Sequence, residues 1–105
     1  MAYIVKMTYT YPTNYPKFPP DKSMTFPISP EVALLREQFV RDGKILATDG
    51  YYSNDTYTGV NTVVFSSKAA FDEWSSIPII ADYFEKRNEF LSQRGISKLA
   101  AFTEV

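Results

Sequence analysis

The order of hydropathy patterns along the chain limits its fold more than any other feature: strand, helix, two strands, a long broken helix, then strand, within 105 residues. Residues 3–10 are mostly β-branched and aromatic, with Tyr3, Val5, Met7 and Tyr9 on one face and Ile4, Lys6, Thr8 and Thr10 on the other. Pro12, Pro16, Pro19, Pro20 and Pro27 then rule out a helix or central strand over residues 11–28, which reads as a Pro/Tyr-rich loop. A connection of that length is uncommon inside a small domain and is usually either functional or partly mobile.

Ser29-Pro30-Glu31 supplies a capping hydroxyl, a proline at the first helical position and an acidic first turn. Val32, Leu35 and Phe39 follow at helical spacing, and Gly43 provides the left-handed residue that ends the helix. Residues 44–52 and 57–66 read as strands joined by the hairpin loop Ser53-Asn54-Asp55-Thr56, so they should be antiparallel neighbours. Ser66 or Ser67 caps a helix carrying Phe71 and Trp74. Pro78 removes a hydrogen bond and biases Ile77 away from helical geometry, so that helix should break there. A second segment from Ile79 to Arg94 buries Ile80, Phe84 and Leu91 before Gly95, and the last strand covers residues 98–103 or a little more.

Eleven basic and twelve acidic residues give a net charge of -1, which generates no field toward phosphate backbones or anionic lipid; nucleic acid is not an expected partner. No apolar run reaches membrane-spanning length and no signal-peptide pattern opens the chain, so the expected location is the cytoplasm of a cell or of an infected host cell. The absence of cysteine and histidine removes thiol nucleophiles, disulfides, imidazole bases and the usual zinc ligands. Neither a metal site nor a cofactor is expected, since oxygen ligands alone would be needed and no acidic loop has calcium-site spacing.

A βαββαβ order at this length is the ferredoxin-like α+β arrangement, an antiparallel sheet with its helices on one face, and residues 1–105 read as a single such domain. Both faces of the first and third strands carry apolar residues, so something should cover the second face. The stretch from Val63 through Ser66-Ser67 to Phe71 and Trp74, followed by Ile77-Pro78 and a further helical segment, resembles the dimeric α+β barrel superfamily. The resemblance implies a homodimer packed sheet to sheet. It also implies a choice among cofactor-independent monooxygenases, haem-degrading enzymes, isomerases, decyclases and proteins without activity. Members that depend on histidine are excluded here.

Side chains placed to face a pocket between sheet and helices are Asp49, Tyr51, Tyr52, Asn61 and Arg87, with Trp74 as an apolar wall. A purely structural account competes with this: Trp74 and the tyrosines pack the core, Asn61 serves a strand edge, and Arg87 pairs with Asp82 or Glu85. Tyr11, Tyr15, Lys17 and Phe18, aromatics and a cation among prolines, form a stiff surface suited to a protein partner. The same tyrosines could instead fold back over their own subunit. From the sequence, a non-catalytic interaction or accessory protein, viral or microbial, is slightly preferred. A binder of a small apolar ligand, or a cofactor-independent enzyme of the monooxygenase or isomerase kind, is the alternative.

Overall fold

The computed structural model describes residues 1–13 and 26–105. In chain order these form β1 (Tyr3–Thr10), α1 (Pro30–Arg41), β2 (Ile45–Ser53), β3 (Thr58–Phe65), α2 (Lys68–Ser76), α3 (Pro78–Gln93) and β4 (Ser97–Glu104). The strands build one antiparallel sheet in the order β2-β3-β1-β4. This is the ferredoxin-like α+β fold, with the element order that the sequence implies.

Pairing of Tyr3 with Phe65, Val5 with Val63 and Met7 with Asn61 fixes which side chains share a face. Because side chains alternate along a strand, Tyr3, Val5, Met7 and Tyr9 all point toward the helices. The main core joins Val5, Ile45 and Phe65 from the sheet to Val32, Phe39, Ala70, Trp74 and Ile80 from the helices. A smaller cluster of Tyr9, Tyr11, Leu91 and Ile96 closes the far end.

Each helix starts as its sequence dictates. The Ser29 hydroxyl accepts from the Val32 amide at 3.2 Å, and the Ser67 hydroxyl accepts from the Ala70 amide at 3.1 Å. Ile77 sits at φ -66°, ψ 124°, the extended conformation that a following proline enforces. It therefore ends α2 and begins α3 at once, so Trp74 and Ile80, on either side of the break, enter the same core.

Several boundaries differ from the sequence reading by a residue or two, and three of the differences have a local reason. Helix α1 stops at Arg41 because the chain is already turning: Gly43 adopts φ +72°, and the Lys44 amide bonds the Phe39 carbonyl at 2.8 Å. Strand β2 starts at Ile45 and carries an irregularity at once, with Ile45 opposite Phe65 but Ala47 opposite Val64, which leaves Leu46 as the extra residue. Tyr57 belongs to the turn rather than to β3. It has φ 53°, uncommon for a residue with a side chain, and its carbonyl accepts from the Tyr11 amide at 2.8 Å. That bond ties the hairpin tip to the end of β1.

Candidate functional site

Between the sheet and the helices lie two adjoining open chambers, an inner one of about 470 Å³ beside the main core and an outer one of about 330 Å³ beside the smaller cluster at the far end. Both exceed the roughly 300 Å³ at which small-molecule sites begin. Tyr9, Gly50, Asn61, Tyr83 and Arg87 line both chambers and so mark their junction. The inner chamber is walled by apolar side chains including Val5, Val32, Phe65, Trp74 and Phe84; the outer one is ringed by Tyr9, Tyr11, Tyr52, Tyr83 and Phe26.

Two glycines keep the sheet side of this space open. Gly50 and Gly59 fall on the helix-facing side by register, opposite Asn61 and between Tyr52 and Tyr9. A Cβ at Gly50 would lie 2.8 Å from the Asn61 Oδ1, and one at Gly59 would lie 3.0 Å from the Tyr52 ring. The side chains of Asn61 and Tyr52 thus occupy room that only glycine leaves.

The junction has one deeply placed cation. Arg87 stacks its guanidinium over Phe84 at 4.9 Å from the ring centre and reaches Tyr83 at 5.9 Å. Its Nε is buried and has no hydrogen-bond partner among the described residues. The pairing with Asp82 or Glu85 that its helix offers does not form, since Asp82 is taken by Lys86 at 3.0 Å. A buried donor without an acceptor costs about 1–3 kcal/mol, which makes a ligand atom at this point favourable.

Burial raises the pKa of the Tyr83 phenol above its usual value, with Arg87 and Arg36 acting against that rise and Tyr9 adding to it. Tyr83 therefore stays protonated and can donate or accept a hydrogen bond at the junction. Lys98 is shifted the other way, down, by burial and then by the charge of Arg87, while its ammonium donates to Asn88 Oδ1 at 2.9 Å. Among the described residues no group of three or more acidic, histidine or cysteine side chains could hold a metal ion.

All six residues proposed from the sequence for the pocket line one chamber or the other, but not in equivalent ways. Tyr52, Asn61, Trp74 and Arg87 belong to the helix-facing side. Asp49 pairs with Thr62 and Tyr51 with Val60, the register of the opposite face, so these two side chains project away from the helices. That corrects their reading as pocket groups: the residue inserted at Leu46 moved the alternation of β2 by one. Trp74 is both wall and core, 9% exposed and edge-on to Phe39 at 5.0 Å. Of the partner-contact candidates, Tyr15, Lys17 and Phe18 lie outside the described residues. Tyr11 turns inward, 6% exposed against Tyr9, Leu91 and Ile96, because its strand alternation continues from Tyr9. Its ring is not presented to a partner.

Sequence reasoning missed Arg36, Tyr83 and the two glycines. Arg36 stands one helical turn after buried Val32, and Tyr83 one turn before Arg87, so helical spacing alone could have placed both beside the cleft. The glycines could be recognised only once the strand register was known.

No protein-family model and no curated protein matches the sequence. The fold, however, is shared with solved structures. A candidate antibiotic biosynthesis monooxygenase from Deinococcus radiodurans is 11% identical, with a TM-score of 0.56 over 98% of this chain and 91% of that one. A dimeric ferredoxin-like protein from an uncultured marine organism is 15% identical, with a TM-score of 0.54 over 99% and 94%. A protein from Mycobacterium tuberculosis is also 15% identical, with a TM-score of 0.50 over 98% and 95%. The fold is therefore the ferredoxin-like α+β fold of these structures, as the layout of the sequence suggested. No helix among the described residues is long and apolar enough to cross a membrane.

Proposed function

We propose that this protein binds a small, largely aromatic molecule in the cleft between its sheet and helices, and that it acts on that molecule without a cofactor, in the manner of a monooxygenase or isomerase. The observation that carries the reading is the buried Arg87 Nε, unpartnered among the described residues, at the junction of two chambers large enough for a ligand. The chemistry open to the site follows from its groups. Arg87 remains a cation and Tyr83 a neutral phenol, so together they can orient a ligand oxygen and stabilise negative charge on it. A substrate that itself ionises readily then needs no histidine base. The fold shared with a candidate monooxygenase supports the same class. The accessory-protein reading loses one of its four contact residues, because Tyr11 is buried.

The cleft is further proposed to work in a homodimer joined through the outer face of the sheet, as the shared fold of a dimeric ferredoxin-like protein suggests.

Trp74 lines the inner chamber, so its emission reports occupancy. Titration with 2-acetylnaphthalene is expected to quench it saturably at one molecule per chain. Gly50→Leu, which fills the junction, should weaken binding by about tenfold or more while leaving the circular dichroism spectrum unchanged. Linear, non-saturating quenching in the unmodified protein would sink the proposal.

A further inference from the structure

We infer that the natural ligand of the cleft is an aromatic organic acid, its ring in the inner chamber and its carboxylate held between Arg36 and Arg87. The inference rests on the small-molecule reading above and names the ligand class.

Arg36 comes from α1 and Arg87 from α3, and both line the inner chamber. Both also bear on one group, since each opposes the upward shift of the Tyr83 phenol. Two guanidinium groups are thus brought to one concave space by two different helices. Neither has a carboxylate partner among the described residues, whose ion pairs are Lys44 with Glu73, Lys68 with Asp72 and Lys86 with Asp82. Among the described residues the sole carboxylate lining the inner chamber is Asp49, and its register turns it to the other face of the sheet.

Two like charges facing one concave space repel each other, and an anion between them turns that repulsion into attraction. A guanidinium is also the group whose planar donors match a carboxylate, and its hydrogen bonds to an anion are stronger than those to a neutral oxygen. The rest of the chamber specifies what the anion is attached to. Phe65, Trp74 and Phe84 offer aromatic walls, while Val5 and Val32 exclude polar substituents. A neutral aromatic would fill the walls and leave the cations unanswered; a small inorganic anion would do the reverse.

Calorimetric titration with 2-naphthoate and with 2-acetylnaphthalene, its uncharged counterpart of the same shape, separates these terms. The acid is expected to bind the unmodified protein at least about tenfold more tightly than the ketone at low ionic strength. Arg36→Met and Arg87→Met should each weaken 2-naphthoate by about tenfold and leave the ketone within about twofold of its original affinity. Arg36 is exposed, so its replacement keeps the test valid even where the Arg87 variant folds poorly. Equal affinities for acid and ketone, or an Arg36→Met variant that binds 2-naphthoate unchanged, overturn the acid inference while leaving small-molecule binding in place. If neither compound binds at millimolar concentration, both the inference and the reading beneath it fall.

Discussion

Replacing Trp74 with alanine is expected to destabilise the protein by about 3–5 kcal/mol, the range for removing a buried large aromatic. The ring is 9% exposed, meets Phe39 edge-on with centroids 5.0 Å apart, and belongs to the same core cluster as Phe65 and Ile80. Three elements therefore lose packing together. One feature of the site works against the full cost. Trp74 also borders the inner chamber, so the space it vacates joins an existing cavity that solvent can enter. A void that water can fill is penalised less than a sealed one, which places the expected value toward the lower end of the range. Trp74→Phe should recover more than half of the loss by restoring the contact with Phe39. Urea titration followed by far-ultraviolet circular dichroism gives the number. A loss under about 1 kcal/mol for the alanine variant would mean that the ring contributes to the ligand wall but not to the core.

How far the sequence reveals this molecule depends on which physical signal each feature uses. The strands and helices are legible because periodicity and capping are local: Ser29 and Ser67 accept the hydrogen bonds that their positions imply, and Pro78 breaks the helix at the expected residue. The site is legible only in part. Asn61, Trp74 and Arg87 reach the cleft because simple alternation and helical spacing carry them there, whereas Tyr52 reaches it through the extra residue near Leu46. Asp49 and Tyr51 fail because one extra residue near Leu46 changes which side chains of β2 face inward, and nothing in the local composition marks that insertion. The open space at Gly50 is still less visible, since it depends on Asn61 of a neighbouring strand. Tyr11 misled for another reason. Its proline-rich surroundings suggest a surface loop, yet its amide is still bonded to the Tyr57 carbonyl, which extends the inward alternation of β1 by one more side chain.

The outer face of the sheet leads to the second large effect. By register this face carries Ile4 opposite Val64 and Thr103, Ala47 opposite Val64, Leu99 opposite Thr8, and Tyr51 opposite Val60. Leu99 is 71% exposed and Tyr51 54% exposed, so a single chain leaves apolar surface in water that a second copy could cover. Across the middle runs a polar row in which Asp49 and Lys6 flank Thr62. That row has one charge of each sign, and a two-fold arrangement can set the cation of one copy toward the anion of the other. Light scattering at micromolar concentration is expected to give the mass of two chains, and a strict monomer would remove the proposed dimer. Ile4→Lys provides the sharper test. It places an unpaired charge on a central strand, and two-fold symmetry places it there twice, at a cost of about 2 kcal/mol or more for each copy. The dimer should then dissociate roughly a thousandfold more readily and elute as a monomer at the same concentration. Because the residue faces away from the helices, the circular dichroism spectrum should remain that of the folded chain. A variant that stays dimeric with unchanged affinity would show that the copies associate through a different surface, and the outer face of the sheet would then need another explanation for its exposed leucine and tyrosine.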